Sequence, residues 1–369
     1  MAQIIEITKV SWISRFKNAI LGLLFAPIFA VLGFLVLRYG EIEHAKTKTA
    51  LKNIIHKVHN PVDAKNGELF WYSDSVLSPK ALLNDKEFKL KVKAIKLYRK
   101  VYTWQWVEKA ETKEKRENFG SKTKETTYTY NQDWVSHIIY SDHFKYKEGH
   151  TNPEFKKYDS LLIEQTSVKI GPYLLEEKLL NAVLNFRLFK IDSYLLISIK
   201  NAQLDTLSRA ECPWYEIFPK SYDEATSGHS KEKTNSLFLG KGSPIQPQIG
   251  DTRIEYWYIP DDVYTLVGMK MENGVGTYKN DSLFVYSDLP CGGTLHSFRG
   301  NFGMIFSGKK ELAEMFKILH NSNDKTFIII RFLGLIFVVA GFALFGNPLG
   351  VLFGWLPFIG VVWEKAVFK

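Results

Sequence analysis

The chain has 369 residues, 46% of them hydrophobic, and a mean hydropathy of −0.13, which is too polar for a transporter buried mostly in lipid. It fits a water-soluble body attached to a few membrane helices. The net charge of +9 suits nucleic acid or an anionic membrane, but no nucleic-acid-binding motif accompanies it, so a lysine-rich solvated face is preferred and nucleic acid is not an expected partner. Cys212 and Cys291, the two cysteines, define no disulfide framework, although they can pair in an oxidising compartment.

The first apolar segment is a stretch of 18 uncharged residues that begins at Ile20, after Arg15 and Lys17, and ends before Arg38. A helix needs about 20 apolar residues to cross the hydrocarbon core of a bilayer. We therefore predict a transmembrane helix over residues 20–38. The alternative is a cleaved signal peptide, whose apolar region would be shorter and would end at a cleavage site of small residues.

A β-rich extramembrane domain is predicted over residues 39–326, and it starts with an amphipathic helix at residues 41–58. Apolar residues recur in that helix every three to four positions, and the pattern stops at Asn60-Pro61. The helix either continues the membrane helix outward or lies along the lipid headgroups. A further helix is predicted between Leu174 and Phe186.

The clearest strand pattern in the domain is a hairpin of alternating aromatic residues. One strand contains the run YTWQW and ends in the charged tract 109–124, and the return strand contains the run TYTY before a tryptophan. A period of two is typical of strands, and cross-strand aromatic pairs stabilise a hairpin. Together with one later histidine, these aromatic residues form the candidate interaction surface: Trp104, Trp106, Tyr128, Tyr130, Trp134 and His150.

The C-terminal part combines an amphipathic helix at residues 309–319 with a second transmembrane helix at residues 327–346. Arg331 is the only charge in that span, and it lies close enough to one end to reach the interface. Residues 347–369 are short, aromatic and broken by proline, which favours an interfacial or re-entrant segment. The residues expected to anchor the chain in the membrane are Trp12, Arg15, Lys17, Pro27, Arg38, Arg331, Trp355 and Trp363.

Two spans place the domain on one side of the membrane and both termini on the other. Lys9, Arg15 and Lys17 outnumber Glu6 in the short lead-in of residues 1–19, which favours a cytoplasmic N-terminus under the positive-inside rule. The domain is then expected to be lumenal or periplasmic. The predicted fold class is an α+β membrane protein, with a β-rich extramembrane domain flanked by N- and C-terminal transmembrane helices.

Residues 95–153 contain the YTWQW strand, the KETTYTYNQDW return strand and the ending GHTNP, and residues 250–258 read GDTRIEYWY. These blocks resemble the transmembrane protein 43 family, also called LUMA, and the likeness covers nearly the whole chain. In that family the Trp-x-Pro segment, here Trp355-Leu356-Pro357, is followed by a further pair of spans, whereas this sequence ends at Lys369.

The resemblance implies a multi-pass membrane protein whose large hydrophilic domain lies in the lumen. For animal members it implies the endoplasmic reticulum and inner nuclear membrane, and a link to nuclear envelope organisation, lamins and emerin. It implies no enzymatic activity that can be assigned to particular residues.

The sequence lacks the motifs of serine hydrolases, zinc proteases and nucleotide-binding folds, so neither an enzyme activity nor a cofactor is expected. His137, His143 and His150 form a histidine cluster with carboxylates nearby, but their spacing matches no template for a metal site. We therefore expect no metal there. His150, which is followed by Asn152, is interpreted as tying a loop to its neighbour by hydrogen bonds.

Two functions fit these features. The first is a non-enzymatic scaffold that forms a homo-oligomer and contacts membrane or envelope proteins and the lipid bilayer; glycines 22, 33, 334 and 341 offer surfaces for close helix packing. The second is a lipid-handling binding module or enzyme with an apolar groove near the membrane, lined by aromatic residues. Tryptophan side chains that are fully buried between strands would argue against the groove.

Overall fold

A computed structural model shows a domain of two large β-sheets and two long antiparallel helices, which confirms the predicted fold class. It describes residues 3–116, 121–191, 199, 202–205, 209–211, 229–233, 236–289 and 294–353. Cys212, Cys291, Trp355 and Trp363 lie outside the described residues. Within these ranges the helices are α1 (Trp12–Ile55), α2 (Glu177–Ala182) and α3 (Leu312–Phe353), and a 3₁₀ turn covers Ser141–His143.

Strands make up most of the domain between α1 and α3. In the described part of the chain they are β1 (Gln3–Val10), β2 (Val58–His59), β3 (Leu69–Pro79), β4 (Leu83–Asp85), β5 (Leu90–Val92), β6 (Ala94–Arg116), β7 (Lys122–Val135), β8 (Leu161–Glu164), β9 (Val168–Ile170), β10 (Tyr173–Leu175), β11 (Arg187–Leu188), β12 (Ala202–Asp205), β13 (Arg209–Glu211), β14 (His229–Lys233), β15 (Ser236–Leu239), β16 (Thr252–Pro260), β17 (Val263–Met271), β18 (Gly274–Gly276), β19 (Tyr278–Asn280), β20 (Val285–Asp288), β21 (Thr294–Ser297) and β22 (Gly300–Ser307).

The buried apolar side chains form three hydrophobic clusters, which lie around the two large sheets. Sheet A follows the order β1-β7-β6-β16-β15-β12, and sheet B the order β2-β3-β9-β10-β18-β17-β22-β20-β21. One cluster contains side chains from both sheets and from α2, such as Tyr98, Leu179 and Leu266. A second belongs to sheet A, and the third joins sheet B to the two long helices. The domain is therefore built directly onto the helices.

Helix α1 is continuous from before the predicted span into the predicted amphipathic helix, and it ends at Ile55, three residues earlier than predicted, because Val58 belongs to β2. Ser11 caps its first turn by accepting a hydrogen bond from the amide of Ser14 at 3.2 Å. Pro27 lies inside the helix without ending it. Of the two arrangements considered for residues 41–58, the structure has the outward continuation, because the apolar positions of this part pack on sheet B.

Helix α3 likewise joins three segments that the sequence patterns separate. It begins at Leu312, runs through the polar residues 321–325 and the predicted span, and extends to Phe353. The first residues of the predicted interfacial segment, 347–353, are therefore helical. The short α2 occupies only part of the predicted helix Leu174–Phe186, because Tyr173–Leu175 pairs with two neighbouring strands as β10.

An N-terminal strand was not expected from the sequence. Residues 3–10 of the lead-in form β1, which pairs antiparallel with β7 over eight register positions, from Gln3 opposite Thr129 to Val10 opposite Lys122. Glu6 adds a salt bridge of 2.9 Å to Lys145. The lead-in carries a strand because a partner strand distant in sequence offers it an edge, which local composition does not reveal.

Candidate functional site

Helices α1 and α3 form an apolar pair that is long and apolar enough to cross a membrane, by length and composition. Nine large apolar side chains on each predicted span are exposed, among them Leu24 and Phe342 at 66% each. Such side chains are stabilised by leaving water, so lipid is the solvent that suits them. Of the predicted anchoring residues in the described part of the chain, Trp12, Arg15, Lys17, Pro27 and Arg38 lie on α1 and Arg331 lies on α3.

The glycines of the spans pack α1 against α3 within one chain. A Cβ atom on Gly33 would lie 2.6 Å from Val338, one on Gly334 would lie 2.7 Å from Leu37, and one on Gly341 would lie 2.8 Å from the backbone of Ala30. Small residues let helix backbones approach closely in this way. These glycines were expected to support self-association, but the structure uses their surfaces for the intramolecular helix pair.

A layer of polar contacts marks where the helix pair leaves its apolar stretch and enters the domain. Arg331 Nε donates to Glu41 Oε1 at 3.0 Å, and His44 Nε2 lies 2.8 Å from Asp324 Oδ1. The hydrogen bond to His44 holds the pKa of the Asp324 carboxyl below its usual range. Arg331, the charge inside the second predicted span, therefore reaches a partner beside the end of the first span. We call this level, from Arg38 to Glu41 on α1, the membrane boundary.

The predicted interaction surface comes together as a set of ring contacts at the base of the β6–β7 hairpin. Trp104 and Trp134 lie opposite each other in the register, with ring centroids 5.2 Å apart. His150 stacks on Tyr130 at 4.0 Å and meets the edge of Trp106 at 4.8 Å. Tyr130 is 2% exposed, and the other five residues are half-buried. Most of their aromatic surface therefore stabilises the hairpin from within the chain.

Asn152 fastens the loop after β7 to the hairpin. Its side-chain oxygen accepts from the Trp106 amide at 2.7 Å, and its side-chain nitrogen donates to the carbonyls of Trp106 at 2.9 Å and Ile139 at 3.0 Å. Tyr130 donates to Glu108, and burial together with this bond raises the pKa of Tyr130 to about 12. The hydrogen bonds that tie this loop to the hairpin are made by Asn152, whereas His150, for which they were predicted from the sequence, meets the hairpin through ring contacts with Trp106 and Tyr130. We call Trp106, Tyr130, His150 and Asn152 the aromatic clasp.

The histidines do not assemble a metal site in the described part of the chain. No three His, Cys, Asp or Glu side chains converge there in a way that holds an ion. His150 is engaged in the aromatic clasp, where its Nδ1 lies 3.3 Å from the Tyr146 carbonyl, and His143 lies 6.1 Å from the ring of Tyr140.

Buried charges inside sheet A were not anticipated from the sequence. Arg99 contacts Asp85 at 2.9 Å, both side chains are at most 5% exposed, and Tyr256 donates to the same carboxylate at 2.8 Å. Lys96 is 1% exposed and pairs with Glu164 at 2.9 Å; burial lowers the pKa of this lysine. Charged residues that recur along a strand normally predict a face exposed to water. They lie inside because other elements cover both faces of β6: Arg99 meets Asp85 of β4, and Lys96 Nζ donates to the carbonyl of Asn181 in α2 at 3.3 Å.

Two cavities lie near the helix pair. The larger, of about 560 Å³, is a groove lined by polar residues of α1 such as Lys46 and Asn53 and by Asn280 and Ser282. The smaller, of about 270 Å³, is lined mainly by Phe284, Leu295, His296, Phe298 and Arg299. Neither is lined by the tryptophans of the predicted interaction surface.

Comparison with known proteins supports the resemblance of the hairpin blocks. A family model described as Transmembrane protein 43 matches residues 103–368, which is more than half of the chain. The chain belongs to the transmembrane protein 43 family. The recognition drawn from the YTWQW and GHTNP blocks is thereby confirmed.

Curated relatives agree with this assignment. Human transmembrane protein 43 is 28% identical over 243 residues, covering 64% of this chain and 53% of the human protein. The mouse protein is 25% identical over 353 residues, covering 94% of this chain and 78% of its own length. A Drosophila melanogaster homolog is 32% identical over 92 residues, or 25% of this chain and 24% of that protein. The chain thus spans about half the length of the human protein it matches. No solved structure matches the chain.

Proposed function

We propose that this family member is a non-enzymatic membrane-anchored scaffold, whose large domain self-associates and contacts other membrane or envelope proteins. The proposal rests on α1 and α3, which continue from the apolar spans into the domain without a linker along their described length. Leu51 and Ile54 of α1 and Met315 and Phe316 of α3 are buried in one cluster with sheet B. A domain mounted on two unbroken helices keeps a fixed orientation to the membrane, as a scaffold requires.

The surface proposed for protein contacts is the loop of the aromatic clasp. Between β7 and β8 this loop exposes two aromatic side chains, Tyr140 at 58% and Phe155 at 77%. Aromatic side chains are enriched at the centres of protein interfaces. The clasp holds the loop rigid, so little conformational entropy is lost when a partner binds.

The relatives' names describe membrane proteins and name no reaction, which supports a non-enzymatic role. The proposal includes the lumenal or periplasmic location of the domain, which follows from the basic N-terminal flank. In a eukaryote this location corresponds to the lumen of the endoplasmic reticulum or nuclear envelope.

Light scattering after size-exclusion chromatography of the detergent-extracted chain tests the proposal. A defined homo-oligomer is expected, and the double variant Tyr140→Ser with Phe155→Ser should shift it towards the monomer. Val62→Ser is the matched control, since Val62 is 92% exposed and lies outside the clasp loop. A monomeric wild type, or an equal shift in the control, would contradict self-association through this surface.

A second candidate function, lipid handling, is favoured by the smaller cavity. This cavity of about 270 Å³ lies beside the membrane boundary, because Arg299 lines it and also donates to Tyr39 on α1 at 2.9 Å. Binding sites for small molecules commonly measure about 300–1,000 Å³, so this cavity suits part of one acyl chain. Native mass spectrometry decides between the two functions: one retained lipid per monomer supports lipid handling, and an oligomer without bound lipid supports the scaffold.

A further inference from the structure

The turn between β21 and β22 exposes a bulky apolar residue in an unfavourable backbone conformation. Phe298 has φ of +52°, in the left-handed region that favours glycine, and its residue surface is 40% exposed. Such a conformation is costly for a large side chain and persists where surrounding contacts hold it. Phe298 belongs to none of the three hydrophobic clusters of the core. A constraint outside the domain core is therefore the simplest reason for a phenylalanine here.

Arg299 fixes the depth of this turn relative to the anchor. Its guanidinium donates to Tyr39 Oη at 2.9 Å and pairs with Glu43, and both partners lie on α1 just beyond Arg38. At a rise of about 1.5 Å per residue, Glu43 lies only about 7–8 Å past Arg38 along the helix axis. The headgroup region on each side of a bilayer is about 5–7 Å thick. The turn is thus held at headgroup depth.

The surroundings of the turn suit an interface between water and lipid. The guanidinium of Arg299 lies 5.9 Å from the ring of Phe284, and both residues line the small cavity with Phe298. Tyr39, at 52% exposed, supplies a further aromatic side chain at the same level. Aromatic rings beside arginine are the usual composition of a membrane-interface belt.

We propose that the β21–β22 turn is a second membrane contact of the domain, in which Phe298 inserts between the headgroups and the upper acyl chains. The contact adds a third attachment point beside the two helices, so it fixes the tilt and rotation of the domain on the bilayer. The inference rests on the crossing of the membrane by α1, and its test separates the two claims.

Depth-dependent quenching in vesicles provides the test. In a Cys212→Ser, Cys291→Ser background, the full chain carries a single environment-sensitive nitrobenzoxadiazole probe at Phe298→Cys. Phosphatidylcholine vesicles contain a lipid with a doxyl quencher near the top of its acyl chain. Leu32→Cys, in the first span, is the reference inside the bilayer, and Val62→Cys, 92% exposed and outside the clasp loop, is the reference in water.

Quenching at position 298 should approach that at position 32 and exceed that at position 62 several-fold. Adding Arg299→Gln should lower quenching at position 298 and leave position 32 unchanged, because the tie to α1 is lost. Strong quenching at 32 with none at 298 would overturn the membrane contact alone. Absence of quenching at 32 would overturn the crossing and the contact together. If Phe298→Cys does not fold, Phe298→Trp retains an aromatic side chain at this position. Quenching of its additional tryptophan fluorescence by the doxyl lipid then distinguishes the same outcomes.

Discussion

A membrane-spanning α1 would place β1 and the β6–β7 hairpin on opposite sides of the bilayer, although β1 and β7 are paired in the structure. From Trp12 to Arg38 the chain covers about 39 Å of helix, more than the roughly 30 Å of a hydrocarbon core. The charged end of the β6–β7 hairpin reaches back along the helices to meet β1. A polar hairpin with an open edge is excluded from lipid. Full insertion of the span and the pairing of β1 with β7 are therefore mutually exclusive.

Whether the span inserts or β1 stays paired depends on two free energies: that of moving the apolar side chains of the spans out of water, and that of pairing β1 with β7. The 18 large apolar side chains exposed on the two spans, about half of each accessible, gain roughly 1 kcal/mol each on leaving water, or about 18 kcal/mol together. Eight paired residues of β1 contribute about 1 kcal/mol for each backbone hydrogen bond, and ordering the strand offsets most of that. Insertion therefore wins, and β1 should leave β7.

Disulfide crosslinking in membranes measures the outcome directly. Thr127 lies opposite Ile5 of β1 on one side and opposite Glu111 of β6 on the other. Facing residues of antiparallel strands have Cα atoms about 4.5–5.5 Å apart, which suits a disulfide. In a cysteine-free background, Glu111→Cys with Thr127→Cys should therefore crosslink in proteoliposomes. Ile5→Cys with Thr127→Cys should not crosslink.

Equal crosslinking of the two pairs in the membrane-inserted protein would show that β1 stays paired with β7. It would place β1 and the hairpin on the same side, and the segment after Ile20 would then not cross the bilayer. Because both pairs share the same Thr127→Cys, differences in the reactivity of that thiol cannot imitate the expected result.

Three further substitutions test the packing, the clasp and a buried histidine. Gly33→Ala brings a Cβ to 2.7 Å from the Val338 backbone nitrogen, so it should destabilise the helix pair by about 1–3 kcal/mol and lower the thermal midpoint. The control is Gly22→Ala, whose nearest contact is a side-chain methyl at 3.3 Å, and it should leave the thermal midpoint nearly unchanged. Asn152→Ala removes three hydrogen bonds of a buried side chain and should lower the free energy of unfolding by about 2–3 kcal/mol in chemical denaturation; an unchanged midpoint would show that the clasp is dispensable. Burial lowers the pKa of His296 from 6.5 to about 4, so the unfolded chain binds more protons between these values, and up to about 3 kcal/mol of stability should be lost as the pH falls from 6.5 to 4. His296→Gln should flatten that part of the stability profile, and an equally steep profile in the variant would assign the pH dependence to other groups.

Features that depend only on neighbouring residues could be predicted from the sequence. An uncharged stretch of 18 residues specifies an apolar helix wherever it lies, because every turn of it prefers lipid to water. The alternation of Tyr102, Trp104 and Trp106 with smaller or polar residues specifies one strand of the hairpin, and the return strand shows the same period. These blocks also carried the family resemblance.

The contacts between residues distant in sequence could not be predicted, because they depend on how the sheets and helices pack. Lys96 and Arg99 belong to a strand whose charges suggest a solvated face. In the structure, elements that cover the two faces of that strand bury both side chains: Arg99 pairs with Asp85 of β4, and Lys96 pairs with Glu164 and donates to the carbonyl of Asn181 in α2. The three hydrogen bonds of Asn152 and the tie from Arg299 to α1 likewise join elements far apart in the chain. A local pattern records the preference of a residue for water or lipid, whereas partners are set by how the sheets and helices pack, and the sites proposed for this protein depend on that packing.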